Sequence, residues 1–352
     1  ARYFFRSDLG ELGTSALLGL EANLRGPAIS NGAVAGTLRQ WQEIENSYPE
    51  YAANWRLQMH LFRAYYGAYI QQRLQYETKL ERQALEQLQP RTADDPIMPR
   101  ISQAIEILKR AETAPVQQEL LHKIEAMADS LFSTIGYQTS VPKYQASGFE
   151  RGCMMDYVNY PLNNRWWLED ELNQVNRIES SAAQEKRLQQ LVQWENPGAG
   201  GYYDIIGHVG HSPRMIKLQY VEDAMRHYYD IPVPTQRNIS PQRNNLRMAW
   251  HVYHDGLPTL TYDALDPQGS YRVKLFSQRE APLLIDGIPA TRIRTGATYD
   301  QVTEQEFEVP ASATADGKIE LSWGVLDERK LNWRQKHYVT DIWILEKGAG
   351  RF

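Results

Sequence analysis

The side chains best able to do chemistry crowd into residues 194–215, which read W-E-N-P-G-A-G-G-Y-Y-D-I-I-G-H-V-G-H-S-P-R-M. Asp204, His208 and His211 are spaced D-x3-H-x2-H, and a carboxylate with two imidazoles can hold a divalent metal. The spacing fits no standard zinc motif and a fourth ligand is not evident. Histidines hydrogen-bonded within a loop are the simpler account, so no metal or other cofactor is expected. Cleavage of a glycosidic bond makes a different demand, two carboxyl groups flanking the reacting atoms. Glu169, Asp170, Glu171, Glu195 and Asp204 are candidates. Glu169–Glu171 falls on a helix face and is expected to be solvated. Glu195 and Asp204 flank the glycine-rich turn and are the pair to test first. The single cysteine, Cys153, has no local base and is no candidate nucleophile. No phosphate-cradling glycine pattern follows a strand.

The same stretch offers a second chemistry. Tyr202 and Tyr203 put ring faces beside hydrogen-bonding groups, and the glycines let the backbone approach a ligand closely. Sugars present both C–H faces and hydroxyls, so Tyr202, Tyr203, Asp204, His208 and His211 are read as a sugar-facing surface. Trp166 and Trp167 join them, because adjacent tryptophans early in a helix cannot both enter one core. The alternative is that all seven pack a junction between domains.

Composition narrows the field. The chain has 352 residues, enough for two domains, and a net charge of −5 that leaves no basic footprint for nucleic acid. Acids and bases are interspersed, so a polybasic membrane surface is not expected. No stretch is apolar enough to span a bilayer. Tyr and Trp, at 21 and 9, outnumber the 8 Phe, which suits sugar-stacking surfaces as well as cores.

The elements that must position these residues change character along the chain. A short aromatic strand or turn and then a helix are predicted over 1–25, and further helices over 34–46 and 101–111. Ser47-Tyr48-Pro49-Glu50 has the form of a capping box and predicts a long helix ending near Pro90. Trp55, Met59, Phe62, Tyr66 and Tyr69 form its apolar stripe, which reads as core. Thr113 is expected to cap another helix running through Phe132 and closing at Gly136. Asn163 or Asn164 caps a helix that holds Trp166 and Trp167, and 182–194 is the last. From Leu246, strands are predicted at 250–253, 259–262, 271–276, 283–285, 307–309, 319–323 and 339–345, separated by Asp-Gly and Pro-Gly type turns. Ile342 and Ile344 alternating with Trp343 and Leu345 imply a last strand buried on both faces.

Several stretches together resemble a known kind of protein. Asn54-Trp55-Arg56-Leu57-Gln58, Pro161-Leu162-Asn163-Asn164-Arg165 and Asn196-Pro197-Gly198-Ala199-Gly200-Gly201-Tyr202-Tyr203-Asp204 resemble the C-terminal half of large exported bacterial proteins of glycoside-hydrolase type. Ala1-Arg2-Tyr3-Phe4-Phe5 resembles the segment that follows their catalytic barrel, as if continued from a longer chain. In such proteins a malectin-like or galactose-binding-like β-sandwich closes the chain. Tyr253-His254-Asp255-Gly256-Leu257-Pro258 and Leu265-Asp266-Pro267 match its beginning. The family pattern continues with a second acid after Asp204 where this chain has Ile205, which weighs against paired carboxylates there. The resemblance implies a carbohydrate context and a secreted or periplasmic location, though no signal peptide is visible.

The expected architecture is α+β: an all-α helical domain over 1–193, a Gly/aromatic-rich connecting loop region over 194–244, and an antiparallel β-sandwich of jelly-roll or galactose-binding-like type over 245–352. The expected function is sugar binding and scaffolding within a larger polysaccharide-active enzyme. Its partners would be a polysaccharide or oligosaccharide and an upstream catalytic domain, without nucleic acid or membrane insertion. Two alternatives stand beside it. The chain itself completes a glycosidase active site through the loop at 202–211, or it is an interaction module with no sugar site.

Overall fold

A computed structural model describes residues 32–92, 94–145, 154–159, 161, 163–205, 214–216, 229–230, 247, 249–253, 259–278, 283–299, 302–323 and 336–348. The helix expected before residue 26 lies outside them. The protein is α+β, with helices and two antiparallel sheets. The described residues fall into two compact units, one up to Arg177 and the other from Ile178.

The first unit is helical. It comprises α1 (Gly32–Ser47), α2 (Trp55–Gln87), α3 (Ile97–Thr113), α4 (Gln118–Ile135), α5 (Val141–Tyr144) and α6 (Arg165–Val175). The long helix α2 packs against α1, α3 and α4. That explains why its middle is buried on all sides, from Leu61 and Phe62 through Tyr65, Tyr66, Tyr69 and Ile70 to Leu74. Each such side chain contributes about 1.5–3 kcal/mol through removal from water. Met59, Phe62, Tyr66 and Tyr69 of the predicted stripe are core, while Trp55 at the helix start is part-exposed beneath Arg56.

Two predicted helix starts are corrected. Ser47 ends α1 instead of capping α2, and Pro49–Tyr51 forms a 3-10 turn. Asn54 is the cap of α2, its side chain accepting from the Arg56 amide at 3.0 Å. Thr113 ends α3, because Pro115 drives Ala114 out of helical conformation. The closure of α4 at Gly136 is as expected, with the glycine at φ 67°.

The second unit opens with α7 (Ser181–Val192), so this helix groups with the sheets. Twelve strands follow among the described residues: β1 (Tyr202–Ile205), β2 (Met215–Ile216), β3 (Tyr229–Asp230), β4 (Ala249–Tyr253), β5 (Thr259–Tyr262), β6 (Tyr271–Gln278), β7 (Leu283–Ile285), β8 (Ile288–Pro289), β9 (Arg292–Tyr299), β10 (Val302–Glu308), β11 (Ile319–Trp323) and β12 (Lys336–Glu346). A seven-stranded sheet has the order β3-β4-β12-β6-β10-β9, with β1 also paired to β12. A five-stranded sheet has the order β2-β5-β11-β7-β8.

All seven predicted strands are present. The expected connecting loop is not wholly a loop, since Tyr202–Ile205 lies along β12 as a strand. Gly201 makes that approach feasible: a Cβ there would sit 2.6 Å from the Ile344 carbonyl oxygen. On β6 the pleat separates buried Tyr271, Val273, Leu275 and Ser277 from part-exposed Arg272, Lys274 and Phe276. On β12 both faces are buried at Ile342, Trp343, Ile344 and Leu345.

Candidate functional site

Strand β1 distributes the predicted site residues to two sides. Tyr203 is opposite Trp343, while Tyr202 and Asp204 are opposite Ile344 and Ile342. With a side-chain period of two, Tyr203 points to one face of the sheet and its neighbours to the other.

On the Tyr203 face, a buried carboxylate organises the surroundings. Asp341 is fully buried and accepts from the Tyr203 hydroxyl at 2.6 Å, Trp194 Nε1 at 3.1 Å and Arg247 Nε at 2.9 Å. Arg247 also donates to the Tyr203 oxygen at 2.9 Å and reaches Glu195 at 3.4 Å. Burial pushes the Tyr203 phenol well above its ordinary range, so it stays protonated and keeps donating.

The tryptophan held this way forms a ring platform. Trp194 stacks on Phe276 with centroids 5.5 Å apart, and Trp343 meets both edge-on at 5.6 and 5.9 Å. Trp343 is nearly buried and forms the floor, whereas Trp194, Phe276 and Tyr203 are part-exposed. Trp343 Nε1 donates to the Trp194 carbonyl at 2.9 Å, fixing the turn after α7 against the sheet. The Lys274 amine lies 5.1 Å from the Trp343 centroid and 3.5 Å from Glu304. Burial lowers its pKa, and Glu304 and Glu306 oppose that shift. The platform thus joins flat apolar faces to an amine, a guanidinium and carboxylates.

On the other face, Asp204 is fully buried, and Arg214 Nη1 lies 3.1 Å from each of its oxygens. The Arg214 guanidinium lies over the Tyr202 ring at 4.4 Å, and Tyr202 meets Tyr262 of the five-stranded sheet at 5.6 Å. Burial pushes the Asp204 carboxyl up to about 6, with Arg214 and then the Tyr262 hydroxyl pulling it back. This cluster links the two sheets.

Glu195 and Asp204 are therefore not brought together. Glu195 is 60% exposed beside Arg247, Asp204 is fully buried, and the sheet separates them. Trp166 and Trp167 belong to the helical unit. Trp167 is buried, while Trp166 is part-exposed and donates to Glu112 at 3.2 Å. Glu169 and Glu171, expected to be solvated, are buried, because α6 is covered around most of its circumference, Trp167, Leu168, Leu172 and Val175 being buried too, with Lys109 3.9 Å from Glu169. Asn163 accepts from the Arg165 amide at 3.2 Å, whereas the Asn164 side chain makes no capping bond. His208, His211 and Cys153 lie outside the described residues. Among the described residues, no group of three His, Cys, Asp or Glu side chains could hold a metal ion, and no helix is long and apolar enough to cross a membrane.

Sequence reasoning missed Trp194, Arg247, Lys274, Phe276, Asp341 and Trp343 as site residues. The alternation K-L-F in β6 and D-I-W in β12 carried a signal: a polar residue and an aromatic two apart share one face. Which strands lie side by side was not readable from spacing. Comparison with family models, curated proteins and solved structures finds no match for this chain. A functional reading rests on the chemistry of the residues themselves.

Proposed function

We propose that this chain is a carbohydrate-binding, scaffolding region of a larger polysaccharide-active enzyme, and that its sugar surface is the Trp194–Phe276 platform. The observation that carries the reading is the part-exposed ring pair, stacked at 5.5 Å and flanked by Tyr203, Lys274 and Glu195. A pyranose ring laid on Trp194 and Phe276 covers apolar area, and its hydroxyls meet charged donors and acceptors at the rim. Under this reading the two sheets form a galactose-binding-like sandwich, the catalytic groups reside in an upstream domain, and the setting is secreted or periplasmic. Separation of Glu195 from Asp204 favours an accessory role over a complete acid/base pair.

Calorimetric titration of the full chain with a panel of oligosaccharides tests this. Saturable binding is expected, weakened about tenfold, or ~1.4 kcal/mol, in Phe276→Ala with little change in melting temperature. Absence of binding across the panel, or affinity untouched by both Phe276→Ala and Trp194→Ala, overturns it.

A further inference from the structure

We infer that the polysaccharide this surface takes is negatively charged, carrying carboxylate or sulfate groups. The inference rests on the carbohydrate reading above and adds the ligand's charge to it. Strand register places Tyr203, Trp343, Lys274, Glu306 and Arg294 opposite one another in a single row across β1, β12, β6, β10 and β9. The aromatic end of the row therefore runs directly into an ionic end on the same face. Phe276 is opposite Glu304, one step along the strands, so the ring platform borders the ionic part closely.

The ionic end has its signs at different depths. The Glu306 and Glu304 side chains are submerged, at 4% and 17% exposure, while those of Arg272 and Arg294 stand out at 32% and 59%. Both arginines spend one terminal nitrogen on Glu306, Arg272 Nη1 at 3.2 Å and Arg294 Nη1 at 2.9 Å. Neither makes a hydrogen bond through Nη2 or Nε to a described residue. A guanidinium anchored by one nitrogen keeps the rest of its donor fork for a planar or tetrahedral oxyanion. Lys274, its side chain as submerged as that of Glu304 at 17% exposure, adds a third cation beside the two acids, and Glu308 is engaged by Lys347 at 3.2 Å. The ionic end thus sets three cations against two submerged acids, with the two guanidinium groups outermost, while the exposed Glu195 carboxylate stands beside Arg247 at the aromatic end. A neutral sugar would leave the protruding guanidinium groups with water; an acidic sugar exchanges that water for charge-assisted hydrogen bonds. Burial lowers the Lys274 pKa, and an incoming anion, like Glu304 and Glu306, opposes that shift.

The experiment uses the full chain in calorimetric titrations at low and moderate salt. Acidic oligosaccharides, a uronate and a sulfated galactan, are compared with a methyl-esterified uronate and an unsulfated galactan. The acidic ligands are expected to bind about tenfold more tightly than their neutral counterparts, with the gap narrowing as salt rises. Arg294→Gln is expected to remove most of that gap without affecting neutral binding or melting temperature, and Arg272→Gln, two residues along β6 from that row, to reduce it also. Equal affinity for acidic and neutral ligands, or a gap that both variants leave intact, overturns the charge inference while the sugar surface stands. Failure of every ligand to bind overturns both.

Discussion

In the helical unit the Glu77 side chain, 2% exposed, lies between two arginines that are themselves buried, Arg73 and Arg165, the latter at 2.8 Å. In the sheet unit Asp341 is just as deeply buried, but its arginine, Arg247, continues outward to the exposed Glu195 and lies 5.4 Å from the centre of the part-exposed Trp194 ring. Around Glu77 the partners turn inward. Arg73 donates to the Val158 carbonyl, Asn163 to the Glu77 carbonyl at 2.8 Å, and Tyr69 to Asn159 at 2.6 Å. The first cluster fastens the segment before α6 to α2. The second fastens the turn after α7 to β12 and also borders the part-exposed Trp194 ring. Under the proposed reading, the connection to part-exposed rings and donors, and not a buried ion pair alone, distinguishes the sugar surface from the helical cluster.

The largest test of that distinction is Glu77→Gln. Breaking a buried pair strands its partners without their counter-charge, at a cost of about 3–5 kcal/mol. The expected outcome is a sharp fall in the melting temperature of the helical unit, with oligosaccharide affinity of the folded protein unchanged. A variant that melts normally but loses ligand affinity would reverse the roles assigned to the two clusters.

The second test compares Glu77, flanked by two buried guanidinium groups, with Asp204, which has one guanidinium whose side chain is 29% exposed. Burial holds the Asp204 carboxyl at about 6 in the fold against an ordinary 3.8. The folded state therefore binds the proton more tightly than the unfolded chain. The corresponding stability is present below about pH 4 and is lost as pH rises through about 6, worth ~3 kcal/mol at ~1.4 kcal/mol per pH unit. Asp204→Asn mimics the protonated form and should match the parent near pH 4 but melt higher at pH 7, since the Arg214 side chain can turn to water. Melting curves of both proteins across that range check it. A parent–variant difference that is flat with pH would show that Arg214 compensates the burial of Asp204 fully.

What the sequence revealed, and what it hid, follows the same division. The helical unit is governed by local periodicity, so the aromatic stripe of α2 and the closure at Gly136 were legible. Its start signals were less so, because Ser47 and Thr113, each followed by a proline, look like caps whether a helix begins or ends there. Strands with clean alternation were legible too, down to the two buried faces of β12. Strand β1 was hidden because Gly200 and Gly201 read as loop, although Gly201 is what allows the backbone to close on Ile344. Strand β9, R-I-R-T-G-A-T-Y, was hidden by its charges, although Arg294 pairs with Glu306 and Arg292 lies over the Phe307 ring. The platform was hidden for a deeper reason. Trp194, Phe276 and Trp343 are far apart in sequence, and only the β12–β6 register and the bond from Trp343 to the Trp194 carbonyl bring them together.

The smallest expected effect separates the structural and ligand-facing roles of one residue, Tyr203. Its hydroxyl donates to Asp341 and accepts from Arg247, while its ring lies 5.3 Å from Trp343 at the edge of the platform. In Tyr203→Phe neither charge is stranded, because Asp341 keeps Trp194 Nε1 and Arg247 Nε, and Arg247 keeps Glu195. The cost should therefore be that of one hydrogen bond, about 1 kcal/mol, far below that of removing Glu77. The ring survives, so sugar affinity should stay within about twofold, or ~0.4 kcal/mol. Because burial keeps the phenol protonated well above its ordinary range, the small loss should be the same at pH 6 and pH 8. Chemical denaturation and calorimetric titration of the variant read the two quantities separately. A loss of several kcal/mol would make the hydroxyl the keystone of the Asp341 cluster. Intact stability with lost affinity would place the hydroxyl itself against the sugar, and the cluster would then belong to the binding site and not to its support.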